Sequence, residues 1–408
     1  MTERPSSTQQ AYGFEPSRLL SNVSNALRLM WPHYVRSIFG ESRTWSLETS
    51  PHSELGLVSG GSLWQALDEL VQVTVPAIPL RPPSRLFPGA GLLFRPCTVM
   101  TQRRKDGAPG PAPDEAWMFI NGICTDKDVA RINAEYLIDL FGRPVTILHD
   151  STCGLIPDLI ECAAGKGWGS LTAAGRLVLY PLAAALLNPD KRRVVLLCHS
   201  RGTIIAAAVL HALAGALRPE GAPAASRTAE ARAGEQLCRE WRQRSRPMLR
   251  ALRNPGVQEA LELHGGHVRQ PEPAQLTLER LRKLEVYAIA NCASDMRYIV
   301  PASERQAAAP YIESLGNDND LVARLGVLAA RKGEGGVRID GNRYRRPDAW
   351  GHLLNAHYLS PLEQDVKGNR VGLVAMEGTL EPSRLQQMLK ASKLEPALAA
   401  GQSRLNAA

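Results

Sequence analysis

Aromatic side chains are scarce in this chain of 408 residues: Phe, Trp and Tyr together make up 5% of it, so aliphatic side chains and Ala must build most of the core. A strong excess of either charge is also missing, with 48 Lys and Arg against 40 Asp and Glu and a formal net charge of +8. The cations are mostly Arg and are scattered. No basic segment is interleaved with stacking aromatics, which argues against a nucleic-acid partner. Peripheral contact with an anionic membrane surface stays open on charge grounds. No stretch reaches the ~18 uninterrupted apolar residues of a membrane span. The nearest approaches are Leu171 to Leu187, broken by Arg176 and Pro181, and Thr203 to Leu217, broken by His211. The first ten residues are polar and lack the basic-then-apolar order of a secretory signal. Seven cysteines (Cys97, Cys124, Cys153, Cys162, Cys198, Cys238 and Cys292) are odd in number and irregular in spacing, and no Cys-x-x-Cys occurs. Neither a disulfide framework nor a structural zinc site is expected from that pattern. A reducing, cytoplasmic compartment fits it.

What is present is ordinary globular composition, 44% apolar and 22% charged, without an internal repeat. Residues 1–110 read as an N-terminal extension with a helix and short strands, the helix marked by Leu19, Leu20, Val23, Leu27, Met30 and Trp31 at roughly helical spacing. Pro and Gly crowd residues 76–114. From there the pattern changes to four short apolar runs: Trp117–Ile120, Val145–Leu148, Val194–Leu197 and Leu284–Ala290. Helical stretches over Asp126–Phe141, Leu155–Ala164 and Gly202–Leu217 lie between them. Strands alternating with helices predict an α/β domain, a mostly parallel sheet with helices on both faces, over residues 111–375. An Arg-, Ala-, Glu- and Pro-rich helical block over 218–276 interrupts that domain. It reads either as a solvated excursion outside the sheet or as a lid. Residues 376–408 read as a helical tail.

The strongest local signal is Val194-Val195-Leu196-Leu197-Cys198-His199-Ser200-Arg201-Gly202-Thr203. An apolar strand runs into small-x-Ser-x-Gly and then directly into an Ala-rich helix. A serine on so tight a turn is held in strained backbone and projects its hydroxyl above the sheet edge. Residues two before and two after must be small, because strand and helix converge there. Cys198 and Gly202 meet that demand. Cys198 should point its thiol away from the serine hydroxyl, and His199 should pack under the turn.

Cys198-His199-Ser200-Arg201-Gly202 resembles the nucleophile elbow of α/β-hydrolase-fold serine hydrolases, with Cys198 where glycine is usual. The resemblance covers about 115–215 and 280–362. It implies that one oxyanion donor comes from the turn Asn121-Gly122-Ile123 after the first strand, with Gly122 and Ile123 as its residues. The other implied donor is the N–H of Arg201. In such hydrolases the remaining partners follow the serine in the order acid, then histidine. Asn317-Asp318-Asn319-Asp320-Leu321-Val322 is similar to the stretch that supplies the acid in class 3 lipases, and Asp320 takes that position. Asp318 and Asp295 remain alternatives. His352 is preferred as the base because Gly351 before it marks a loop beyond the last sheet segment; His357 is the alternative. His211 reads as packed, and His264 and His267 lie on the wrong side of the serine. His149-Asp150-Ser151-Thr152-Cys153-Gly154 ends the second strand on the same edge and reads either as a structural turn or as a wall of the substrate pocket. The activity implied by the resemblance is cleavage of a small-molecule or lipid carboxylic ester, with no metal and no organic cofactor. An acyltransferase with the same three residues, or a silent hydrolase-fold interaction module, are the rival readings.

Overall fold

The structure, a computed structural model, describes residues 52, 54, 97–103, 112–122, 125, 127–150, 168–219, 227–298, 310–332, 336–379 and 381–393. The helix expected near the N-terminus, the one expected over Leu155–Ala164, and Ile123 lie outside the described residues.

The four apolar runs all form strands. They are β2 (Glu115–Ile120), β3 (Val145–His149), β4 (Arg193–His199) and β5 (Leu284–Ile289). Each is buried on both faces, as expected where helices cover both sides of a parallel sheet. Side chains alternate between two apolar clusters, following the period of two of a strand. Met118, Ile120, Leu196, Cys198, Val286 and Ala288 face one cluster. Trp117, Phe119, Val195, Leu197, Tyr287 and Ile289 face the other.

Three further main-sheet strands are not legible as apolar runs: β1 (Thr98–Gln102), β7 (Tyr311–Asn317) and β9 (Asn342–Arg346). Two-residue strands β6 (Asp295–Met296), β8 (Arg338–Ile339) and β10 (Val374–Ala375) complete the set. The main sheet has eight strands in the order β1-β3-β2-β4-β5-β7-β9-β10, and β6 pairs with β8 separately. Neighbours from β3 through β9 are parallel. Only the edge strands β1 and β10 run antiparallel to theirs. The fold is therefore α/β with a mostly parallel central sheet. β1 comes from the segment read as an N-terminal extension with a helix and short strands, and it forms one edge of this sheet.

Helices α1 (Lys127–Phe141), α2 (Trp168–Leu187) and α3 (Arg201–Leu217) follow β2, precede β4 and follow β4 in turn. α1 buries Ala130, Ala134, Leu137, Ile138 and Phe141, a stripe at i, i+4, i+7, i+8 and i+11 that covers the second cluster. α3 is buried almost throughout, and its Ala206-Ala207-Ala208 run lets neighbours approach closely. Among the described residues no helix is long and apolar enough to cross a membrane.

The block over 218–276 differs from one of its two readings. Its helices α4 (Ala229–Arg242), α5 (Arg246–Leu252) and α6 (Pro255–Gly265) are not a solvated excursion. Leu237, Trp241, Met248, Leu252, Val257 and Leu261 belong to the first core cluster, alongside α2 and α3. Ends are set locally: Thr228 caps α4 by accepting from the Ala231 amide (3.3 Å), and Asn254 caps α6 by accepting from Gly256 (3.0 Å). Arg176 in α2 holds Glu240 in α4 at 2.6 and 2.9 Å. A short α7 (Leu278–Leu281) leads into β5.

Beyond β7, Asp320 caps α8 (Leu321–Leu325). After β9 the chain enters a π-helical turn, Leu354–Leu359, which continues as α9 (Ser360–Lys367). Residues 384–393 are again helical, with Leu385 and Leu389 in the second cluster.

Candidate active site

Ser200 occupies the turn from β4 to α3 with φ 54° and ψ −125°. A positive φ at a non-glycine residue is strained, and such strain collects at functional sites. The turn is fixed from several sides. The Ser200 amide donates to Ile289 O (3.0 Å), and Thr203 returns its amide (2.8 Å) and hydroxyl (2.7 Å) to Ser200 O. The small-residue rule has a measurable origin here. A Cβ on Gly202 would come within 2.6 Å of Ile120 O and 2.7 Å of Asn121 O. Cys198 is fully buried, and its Sγ lies 3.5 Å from Tyr287 O. Burial pushes its thiol far above the ordinary range, so it stays a protonated packing group.

From Ser200 an unbroken hydrogen-bonded run leads away from the strand. Ser200 Oγ lies 2.8 Å from His352 Nε2, and His352 Nδ1 lies 2.8 Å from Asp320 Oδ2. The carboxylate can only accept, so Nδ1 carries the hydrogen and Nε2 is left to accept from the serine hydroxyl. Asp320 is 1% exposed. Its Oδ2 also accepts from the Tyr358 hydroxyl (2.6 Å), and its Oδ1 from the amides of Val322 (2.8 Å) and Ala323 (3.4 Å). Burial alone would raise its carboxyl, but His352, Tyr358 and the Val322 amide outweigh it and hold the group below the usual carboxylate range. It therefore stays ionised beside the imidazole.

The alternatives are placed elsewhere. Asp318 turns to Arg345 at 2.5 Å. Asp295 is engaged by Arg297 at 2.6 and 2.9 Å and by the Thr228 hydroxyl at 3.0 Å. His357 is packed against Gly351, and its Nδ1 accepts from the Leu353 amide at 3.0 Å. Burial, then the neighbouring His352, pull its imidazole down to about 4. His199 lies under the turn as expected. Its Nε2–H donates to His352 O (2.8 Å), and burial, then His352, pull it down to about 3. It is a neutral support for the loop that carries His352.

No family model matches this chain, and no curated protein matches it.

Gly122 lies directly against the serine: a Cβ on it would fall 2.8 Å from Ser200 Cβ and 2.9 Å from His199 Nδ1. The amide of Arg201 belongs to the first turn of α3, where a helix concentrates positive partial charge. Gly122 and Arg201 thus both adjoin Ser200, while Ile123 lies outside the described residues. Among the described residues no group of three His, Cys, Asp or Glu is placed to hold a metal ion.

Sequence reasoning missed Tyr358, Asn317 and Glu54 as contributors, and it did not foresee the ion pair of a fourth, Asp150. Tyr358 ties Asp320 to β7, because its oxygen also accepts from the Asn317 amide (3.1 Å). Asn317 in turn donates its side-chain amide to Gly351 O (3.1 Å) and His357 O (3.0 Å), bracketing the loop that carries His352. Glu54 is buried at the start of the π-helical turn, accepting from the amides of Asn355 (3.0 Å) and Ala356 (3.2 Å). Asp150, read as part of a structural turn, forms a buried ion pair with Arg201 at 3.1 Å. Asp150 alone had a local signal, a carboxylate at the carboxyl end of a parallel strand beside the proposed site.

Proposed function

We propose that this chain is a serine hydrolase of the α/β-hydrolase fold, resembling the class 3 lipases, that cleaves carboxylic esters through an acyl-enzyme on Ser200. The observation that carries this reading is the Ser200–His352–Asp320 hydrogen-bonded run, with 2.8 Å at each link, ending on a serine in strained backbone at a strand-to-helix turn. A serine hydroxyl is a weak nucleophile until a base takes its proton. Here His352 Nε2 takes it as Oγ bonds to the ester carbonyl carbon. Asp320 holds the imidazole in the required tautomer and stabilises the imidazolium that forms. Negative charge moves to the former carbonyl oxygen, where the Arg201 amide and the turn after Asn121-Gly122 would donate to it. As the tetrahedral species collapses, His352 passes the proton to the departing alkoxide and the alcohol leaves. Water then repeats the sequence on the acyl-enzyme, with His352 as base and Ser200 as the leaving group, and the carboxylic acid is released. The substrate class is a small-molecule or lipid ester.

A fluorophosphonate probe tests this directly. Folded wild type is expected to become covalently labelled and Ser200→Ala to stay unlabelled. Absence of labelling in folded wild type refutes the proposal.

A further inference from the structure

A buried ion pair lies across the edge of the sheet at which Ser200 stands, and the proposed chemistry does not use its charges. Arg201 directly follows the nucleophile, yet its side chain is 3% exposed and points to Asp150, 5% exposed, at 3.1 Å. The guanidinium is therefore not offered to a substrate.

The placement of the pair is specific. Asp150 follows the last residue of β3, Arg201 opens the helix after β4, and β2 lies between them in the sheet order β3-β2-β4. Strands two apart in a sheet are separated by about 10 Å. The pair thus reaches over the end of β2, where Asn121 and Gly122 leave the strand. Asn121 is tied into the same assembly. Its Oδ1 accepts from the Asp150 amide (2.8 Å), and its Nδ2 donates to Asp150 O (3.0 Å) and to Gly122 O (2.9 Å). Cys97 donates its thiol to the other Asp150 oxygen, Oδ1, at 3.3 Å. Every polar group of Asp150 is engaged, and each engagement fixes one strand end relative to another.

We propose that Arg201 and Asp150, with Asn121 between them, are positioning residues that set the separation and orientation of the two backbone arms flanking Ser200. This rests on the hydrolase reading above and concerns the regulation of oxyanion geometry at that same site. A tetrahedral oxyanion is held well only by donors already aimed at it. Side chains that lock the arms act on the transition state and leave ground-state ester binding largely alone. The buried charges act through the arms and do not touch the substrate.

The test compares wild type, Asp150→Asn and the double variant Asp150→Asn/Arg201→Gln. The single variant keeps the Asp150 backbone bonds to Asn121 and breaks the ion pair. The double variant removes both charges, so it reports on arm geometry even if an uncompensated buried Arg prevents the single variant from folding. Each folded protein is assayed for kcat and KM on a short-chain aryl ester. The inhibition constant of an alkyl boronic acid, which forms an anionic tetrahedral adduct with a serine, is measured alongside. Removing one oxyanion donor costs about 10²–10³ in rate, so loosening both arms is expected to lower kcat by about 10²-fold. The boronate constant should rise by a similar factor, with KM within about twofold. Loss of thermal stability with unchanged kcat and boronate binding per folded molecule overturns the proposal, because the pair then only stabilises the fold. Wild type that is folded but neither reacts with a fluorophosphonate nor turns over the ester refutes the hydrolase reading itself, and this inference falls with it. Labelling of wild type with unaltered variants refutes this inference alone.

Discussion

Replacing Tyr358 by Phe removes a single oxygen from a fully enclosed place, and its consequences can be worked out bond by bond. That oxygen donates to Asp320 Oδ2 at 2.6 Å and accepts from the Asn317 amide at 3.1 Å. Phe fits the same space, so the cost is polar rather than steric. Hydrogen bonds to charged groups are worth about 1.5–3 kcal/mol, and an orphaned buried donor costs about 1–3 kcal/mol. The two losses share one oxygen and are not independent, so about 2–4 kcal/mol is expected. At about 2 °C per kcal/mol, the low end of the scale because the domain is large, the melting temperature should fall by about 4–8 °C. The effect on turnover is separate. Asp320 keeps its bonds from His352, Val322 and Ala323, so the imidazole remains paired. The carboxylate loses one of the groups that hold it below its usual range against the pull of burial. A kcat lower by about tenfold, with KM unchanged, corresponds to about 1.4 kcal/mol of lost transition-state stabilisation. Calorimetry and steady-state kinetics on wild type, Tyr358→Phe, Asp320→Asn and the double variant measure both terms and their coupling. A melting temperature within about 1 °C of wild type, about half a kcal/mol at that scale, would refute the reasoning. So would stability effects of Tyr358→Phe and Asp320→Asn that simply add.

The base assignment is tested by a pair of variants. His352→Ala should abolish ester turnover, while His357→Ala should retain most of it at some cost in stability; the opposite pattern would make His357 the base. Glu54 offers a test of pH dependence. Burial raises its carboxyl from 4.5 to about 7 despite the two amides it accepts from. A raised folded value means that its favourable contribution is fully present below about pH 4.5 and is lost as pH rises through 7, amounting to about 3 kcal/mol. Glu54→Gln should therefore gain stability relative to wild type as pH rises from about 5 to about 9. Urea unfolding across that range checks the sign, and a difference that does not change with pH contradicts it.

Strands β2, β3, β4 and β5 can be read from the residues because burial on both faces demands continuous apolar runs. β7 and β9 cannot. β7 carries the buried Glu313, whose oxygens accept from Ser383 (2.5 Å), Tyr311 (2.7 Å) and the Arg384 amide (2.8 Å), with Ser383 and Arg384 lying 70 and 71 residues away. β9 reads Asn-Arg-Tyr-Arg-Arg, and only Tyr344 is buried. Its arginines are made acceptable in a sheet by acids on other elements, Asp318 for Arg345 and Asp365 for Arg346. A polar strand of this kind has no local periodicity to detect. The 218–276 block misleads for a related reason. Its helices are rich in charge on one face, but the apolar face that joins the core is visible only once α2 and α3 are beside it.

The sequence by itself determined the turn that carries Ser200, because its requirements are satisfied locally: an apolar strand, a small residue on each side, and a helix. It also narrowed the partners to a few carboxylates and two histidines. Choosing among them belonged to the tertiary structure, since Asp318, Asp320 and Asp295 differ in what surrounds them rather than in their own identity. Asp320 is the one that meets His352, and Asp318 and Asp295 are occupied by Arg345 and Arg297. The contributions of Asp150, Tyr358 and Glu54 were likewise decided only by the fold. Each acts on a group far away in sequence, up to 302 residues for Glu54 and Ala356, and no pattern along a chain encodes a contact made through space.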